Sequence, residues 1–330
     1  MTKPAFLFPG QGSQTVGMGR ELYDHHPAAR LIFFEADAAL DFPLSKLIFE
    51  GPEDQIKLTE HTQPAILTVS VAATRVLAER GIFPAFAAGH SLGEYSAHVA
   101  AGTLTFADAV RTVRNRGRYM QQAVPEGQGA MAAILGLPAT LIAEICEQAS
   151  DNLTPLPTTS DAKSFDPKLA VVSPANLNSP DQTVISGSTG AVHLAADLCK
   201  QAGAKRAVML PVSAPFHCAL MQPAQDALAK DLADLAVNNP ARPIAANVDA
   251  RLVTTAADSR DCLIRQVTGS VRWVECIQLL AAQGVTHFIE VGPGKVLTGL
   301  NRQILGKDSA IPSLNVEDSA SLEKALSSLA

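Results

Sequence analysis

The stretch FPAFAAGHSLGEYSAHVAAG, residues 83–102, constrains this chain more than any other. A short apolar run leads into G-x-S-x-G, and an apolar helical pattern follows and closes on Gly102. Strand, tight turn and helix in that order form the nucleophile-elbow pattern. Glycines at 89 and 93 suit it, because the turn is tight and larger side chains collide there. Such a turn lifts a serine hydroxyl, here Ser91, to the C-terminal edge of a sheet. The helix that starts there has free N–H groups that favour an oxyanion. The competing reading makes Ser91 a helix-capping serine.

The surrounding sequence supplies the sheet that an elbow needs. AFLF (5–8) reads as a first strand and runs into the glycine-rich loop PGQGSQTVGMG. A helical pattern at 63–81 ends on Gly81, a C-cap signal. FADAVRTVRNRGRYMQQAV reads as another helix, and AVMLPV (207–212) and THFIEVG (286–292) as late strands, each followed by a helical segment. Strands alternating with helices imply a parallel sheet covered on both faces. The middle differs. Segments 129–136, 138–150, 169–176, 182–188 and 190–203 read as strand, helix, strand, strand, helix, the order of a small antiparallel sheet with two helices on one face. Between them, 151–167 is rich in Pro, Ser, Thr and Asp and reads as a long surface loop.

Composition removes several function classes. The chain has 330 residues, 47% of them hydrophobic, enough for a large core. A net charge of −6 and the lack of any basic tract argue against nucleic acid. The N-terminus lacks the apolar segment of a signal peptide, and no apolar run is long enough to span a bilayer. The five cysteines are odd in number, widely spaced and never in C-x-x-C, which predicts reduced thiols in a cytoplasmic protein. No His, Cys and Asp cluster suggests a metal, and no cofactor is expected. The chain is expected to act as a monomer.

A serine nucleophile needs a base. Of eight histidines, His25 and His26 lie at a polar helix start, His61, His98 and His193 in helical stretches, and His287 in an apolar strand. His90 adjoins Ser91, but neighbours on a turn point apart. His217, in PVSAPFHCALMQPA, follows a strand and a proline-bounded loop and opens a helix, so it is the strongest candidate. An α/β-hydrolase triad runs Ser, acid, then a late His. Here no obvious acid precedes His217 in a loop after a strand, and more than a hundred residues follow it. A Ser–His dyad steered by a neutral group is preferred to a triad.

RTVRNRGRYM holds four arginines. At about 100° per residue, Arg111, Arg114 and Arg118 fall within about 60° of one another, and Arg116 lies roughly 140° or more from all three. Three share a wet face while Arg116 turns inward. An interior arginine needs a carboxylate or a phosphate, here either a structural salt bridge or a carboxylate on the substrate.

The ordered set FLFPGQGSQTVGMG, TQPAI, GHSLGEYSA, QAVPEGQGAMAAILG, ANLNSPDQTVISG, GAKRAVMLPVSAPFHCALM, NVDA, VRWVECI and EVGPGKVLTGL runs from residue 6 to residue 300. In it the chain resembles the malonyl-CoA:acyl carrier protein transacylases of type II fatty acid synthesis. The resemblance implies an α/β-hydrolase-like large subdomain with a parallel sheet, residues 1–126 and 205–330, and an inserted ferredoxin-like small subdomain, residues 127–204. It implies ping-pong transfer of malonyl from malonyl-CoA to acyl carrier protein. Ser91 is then the nucleophile, His217 the base, and Gln266 the residue whose backbone carbonyl orients that base. Gln11 and Leu92 form the oxyanion hole, Arg116 pairs with the malonyl carboxylate, and Asn176 reaches the substrate. Two features depart from the family pattern. The 151–167 loop is longer than usual. Phe216 stands where members often carry a small residue, and in related polyketide-synthase acyltransferases Phe there accompanies malonyl selection.

Overall fold

The computed structural model describes residues 2–151, 170–212 and 214–329, so the long loop read at 151–167 lies, from residue 152 on, outside the described residues. Among the described residues the strands are β1 (Pro4–Phe8), β2 (Phe86–Gly89), β3 (Gly129–Leu135), β4 (Val172–Ser179), β5 (Gln182–Ser188), β6 (Arg206–Met209), β7 (Ile244–Ala246), β8 (Arg251–Val253), β9 (His287–Val291) and β10 (Ser313–Val316). They form two sheets, and the chain divides into two compact units.

The first unit comprises Met1–Arg118, Leu228–Ile264 and Glu275–Ala330. Its sheet runs β10-β9-β1-β2-β7-β8, parallel throughout except for the antiparallel β7–β8 pair at one edge. Every residue of the central strand β1 is buried, and β2 and β9 are buried beyond their first residues. That is what a parallel sheet needs when helices cover both faces. The helix Thr59–Glu79 buries fifteen of its residues. In β1 and β2 the register pairs Phe8 with Gly89, so both strands release their loops at the same C-terminal edge. Open α/β sheets bind ligands at such an edge.

The second unit comprises Tyr119–Ala227 and Arg265–Val274. Its four strands order as β4-β5-β3-β6, with every pairing antiparallel. Period-two alternation along β3 separates the two faces. Ala132 and Ile134 join the helices Ala139–Asp151 and Thr189–Gln201 in one core. Met131 and Ala133 face the other way, against Ala175, Val184, Leu210, Val212 and Phe216. Strand, helix, two strands, helix and strand in this order make a ferredoxin-like subdomain.

This unit extends beyond the expected span of 127–204. AVMLPV reads in sequence as a late strand of the large unit, yet β6 pairs with β3 and completes the small sheet. Four residues on an edge strand, three of them exposed, carry too little pattern to reveal their sheet. Residues 265–274 also belong here. The amide of Leu177 donates to Val271 O at 2.9 Å, that of Val271 to Ala175 O at 2.8 Å, and Ser270 Oγ to Pro174 O at 2.6 Å. The segment thereby satisfies backbone groups of β4 that β5 leaves open.

The elbow helix Gly93–Ala100 is buried along nearly its whole length, and it carries His98 fully inside. Neither ring nitrogen of His98 has a hydrogen-bond partner among the described residues. Burial alone pushes its pKa down to about 3. The unfolded imidazole takes up a proton near pH 6.5 and the folded one does not, so stability is present above that pH and is lost as pH falls below it. At pH 5.5 the loss from this one group is about 1.4 kcal/mol. His98→Leu is expected to remove that part of the acid sensitivity. Urea melts at pH 7.5 and pH 5.5 check it, and equal acid destabilisation in both proteins would refute it.

Candidate active site

The elbow is built as the glycines imply. A Cβ on Gly89 would sit 1.9 Å from the Gly93 carbonyl carbon, and one on Gly93 would sit 2.2 Å from Phe8 O. Neither position accepts a side chain without moving backbone. Ser91 occupies the left-handed region, with φ 52°. Residues held there without glycine cluster at functional sites, because surrounding structure must hold the strain. Among the described non-glycine residues only Asp41, Ser91, His217 and Ala250 have positive φ. Two of these four are the expected nucleophile and base.

Asn247 fastens this turn. Its Oδ1 accepts the Ser91 amide at 2.8 Å, its Nδ2 donates to Gly89 O at 2.8 Å, and its own amide donates to Glu94 Oε2 at 3.0 Å. Asn247 is fully buried, immediately after β7, which pairs with β2. Sequence reasoning missed this role. An asparagine directly after a short buried strand was the available signal, and only the strand order places it beside the elbow.

Arg116 lies on the helix Phe106–Gln122 and is only 2% exposed, whereas Arg111 and Arg118 are exposed and ion-paired to Asp108 and Glu60. Gly117 allows this helix its close approach, since a Cβ there would sit 2.6 Å from Thr59 O. The guanidinium donates through Nη1 to Gln63 Oε1 at 2.7 Å and through Nη2 to Ser91 Oγ at 3.2 Å. Both acceptors are neutral. The Tyr95 ring lies 5.9 Å from the guanidinium carbon. Burial lowers the pKa of Arg116, opposed by Tyr95 and Glu94, though guanidinium stays protonated in proteins. Burial pushes the Tyr95 phenol well above its ordinary range. A desolvated cation thus points at the serine hydroxyl.

Beyond Arg116 the polar contacts continue. Gln63 Nε2 donates to Thr59 Oγ1 at 3.1 Å, and Thr59 Oγ1 donates to Gln11 Oε1 at 2.9 Å. Gln11 stands on the exposed loop that leaves β1, and Leu92 is buried in the residue just before the elbow helix. The first unit therefore brings together Ser91, Leu92, Arg116 and Gln11, with Gln63 and Thr59 as members that sequence reasoning did not single out.

The second unit holds the other expected residues. His217 is buried with φ 59°, and its Nδ1 lies 2.9 Å from Gln266 O and 3.2 Å from Gly269 O. Two carbonyls can only accept, so Nδ1 carries a hydrogen, and in the neutral ring Nε2 keeps its lone pair. That is the tautomer a general base requires. Gln266 is fully buried. Phe216 packs on the helix-free face of the small sheet. Asn176 is buried at the irregularity in β4, beside Val271. The Cys218 thiol donates to Pro215 O at 3.1 Å, and burial pushes its pKa up, against a thiolate nucleophile. Among the described residues no group of three or more His, Cys, Asp or Glu is placed to hold a metal ion, and no helix is long and apolar enough to cross a membrane.

Fold and elbow together define a class, the α/β enzymes whose serine rides a strand–turn–helix elbow. Residues 5–322 match the family described as acyl transferase domain, and the chain belongs to that family; it is an acyltransferase. The chain is similar to the malonyl CoA-acyl carrier protein transacylase of Escherichia coli strain K12, 51% identical over 306 residues that cover 92% of this chain and 94% of the relative. Among solved structures it is similar to an acyl carrier protein S-malonyltransferase from Vibrio cholerae. That comparison has a TM-score of 0.90 and 47% identity, and covers 98% of this chain and all of the other. It is also similar to a malonyl-transacylase solved in complex with its type II polyketide-synthase acyl-carrier protein, with a TM-score of 0.91 and 43% identity over 99% of this chain and all of that one.

Proposed function

We propose that this chain transfers the malonyl group from malonyl-CoA to the phosphopantetheine thiol of acyl carrier protein, through a malonyl ester on Ser91, in fatty acid biosynthesis. The observation that carries the reading is the buried Arg116 guanidinium 3.2 Å from Ser91 Oγ. A malonyl group bound to that oxygen places a carboxylate two carbon–carbon bonds beyond its ester carbon. A buried arginine there receives the carboxylate in exchange for the hydroxyl.

His217 Nε2 takes the Ser91 proton as Oγ attacks the thioester carbonyl carbon. The backbone N–H groups of Gln11 and Leu92 hold the oxyanion. As it collapses, the carbon–sulfur bond breaks and coenzyme A leaves as a thiol with the proton from His217. The carrier thiol then enters, gives its proton to His217 and attacks the ester carbonyl. Release of Ser91, reprotonated by His217, completes the cycle. The backbone carbonyl of Gln266 orients the imidazole. Phe216, next to the base, walls the acyl α-carbon, where malonyl carries only hydrogens, and Asn176 borders the substrate. The chain acts as a monomer in the cytoplasm.

Mass spectrometry of the intact chain after mixing with malonyl-CoA tests the scheme. One malonyl adduct is expected, on the peptide containing Ser91, and holo-carrier should discharge it far faster than water does. Absence of an adduct, or equal discharge with and without carrier, would overturn the proposal.

Carrier proteins of this kind are acidic, and this chain is acidic overall. Attraction then comes from local positive charge, for which the exposed Lys205, Arg206, Lys295 and Arg302 are candidates. Raising ionic strength from about 0.01 M to about 1 M shrinks the reach of such charges from about 30 Å to about 3 Å. The KM for carrier is expected to rise several-fold across that range while the KM for malonyl-CoA changes less. A carrier KM independent of salt would count against these residues.

A further inference from the structure

The side chains of Gln11, Thr59, Gln63, Arg116 and Ser91 form one continuous row of hydrogen bonds within the first unit. We propose that Thr59 is a positioning residue that couples the carboxylate receptor Arg116 to the oxyanion loop at Gln11, so that a seated carboxylate sets the oxyanion hole. The proposal rests on the roles assigned above to Arg116 and Gln11.

The direction of the links at Arg116 and Gln63 follows from chemistry. Guanidinium only donates, so Gln63 must turn Oε1 toward Arg116. Its Nε2 then faces Thr59 Oγ1 as a donor. A threonine hydroxyl has one hydrogen, and with Oγ1 accepting from Gln63 that hydrogen is directed to Gln11 Oε1. Gln63 cannot flip without setting donor against donor at Arg116. Thr59, Gln63 and Arg116 are 4%, 2% and 2% exposed, whereas Gln11 is exposed and Ser91 half-buried. Water thus reaches the two ends and is kept from the middle, where a broken link stays broken.

Thr59 also meets the arginine's helix directly. Its carbonyl oxygen occupies the space that the missing side chain of Gly117 leaves, one residue from Arg116. It is the first residue of the helix Thr59–Glu79, and Gln63 is one turn further along. A shift of the guanidinium toward a carboxylate therefore moves Gln63 against Thr59, and Thr59 against the side chain of the loop residue whose N–H holds the oxyanion. A donor that lacks a carboxylate leaves the row in its resting arrangement, and the oxyanion hole is then set less well.

Thr59→Val keeps the shape and removes both links, and Thr59→Ser keeps the hydroxyl. Single-turnover acylation of Ser91 is measured with malonyl-CoA and acetyl-CoA, alongside thermal melts. For the valine variant the malonyl rate constant at saturation is expected to fall about tenfold to a hundredfold, with a smaller change in half-saturating concentration. The acetyl rate should fall much less, and the serine variant should recover the malonyl rate to within a few-fold. Equal fractional losses for both donors, no loss at all, or a folded serine variant as slow as valine would overturn the coupling. If wild type itself forms no malonyl-Ser91, the underlying functional reading fails instead. A wild type that is acylated beside an unaffected valine variant sinks only the role of Thr59.

Discussion

Ser91→Ala is expected to abolish malonyl labelling of the chain and to reduce transfer to the carrier by at least about 10⁴-fold, the scale on which removal of a serine nucleophile acts in related chemistry. The size follows from what the elbow provides. The turn is held left-handed at Ser91 by three hydrogen bonds to Asn247 and by two glycines that admit no side chain. Alanine keeps that backbone and deletes only the attacking oxygen. Cys218 is a poor substitute, because burial keeps its thiol protonated. Melting curves should therefore match wild type while the adduct disappears. A variant that still carries a malonyl group, on Cys218 or elsewhere, would show that Ser91 is not the nucleophile.

Arg116→Ala is expected to lower kcat/KM for malonyl transfer by about 10² to 5 × 10³, the equivalent of about 3–5 kcal/mol for stranding a charge in a dry site. Acetyl transfer should be spared or improved, because an acetyl group brings no carboxylate that loses its partner. The two donors separate charge pairing from scaffolding. Arg116 also holds Gln63 and touches Ser91, so a purely structural role predicts parallel losses for both acyl groups. The test is the ratio of the two kcat/KM values, with Arg116→Lys as a companion. Lysine supplies the charge without the fork and should recover only part of the malonyl rate.

Parts of this site were open to sequence reasoning because their causes are local. G-x-S-x-G between an apolar run and a helix is one continuous stretch, and its steric logic is realised in the fold as close backbone approaches at Gly89 and Gly93. The inward turn of Arg116 follows from helical periodicity over eight residues, and the fold buries that arginine and exposes Arg111 and Arg118. The alternating parallel architecture and the small antiparallel sheet were legible for the same reason. What stayed hidden depends on distant neighbours. Asn247 lies 156 residues from Ser91, and it meets the elbow only because β7 pairs with β2. Thr59 and Gln63 are a threonine and a glutamine on a mostly buried helix, and their importance comes from the arginine that packs over them. The edge strand β6 and the segment 265–274 are assigned by their partners, β3 and β4, rather than by any pattern of their own.

The acceptors that hold His217 are main-chain oxygens, the nearer of them that of Gln266. Every residue type that position 266 can encode brings the same oxygen, so no codon change deletes it. Replacing the Gln266 side chain leaves that oxygen in place, and a mild result there would say nothing about the imidazole. A steering group of this kind also gives selection nothing to erode, because it survives every substitution that leaves the local path of the chain intact. Its loss would have to come through geometry, by a proline, a deletion or an insertion between residues 265 and 270 that swings the carbonyl away. A site map drawn from tolerant and intolerant side chains would therefore leave position 266 blank, although a carbonyl that helps to fix the His217 tautomer stands there.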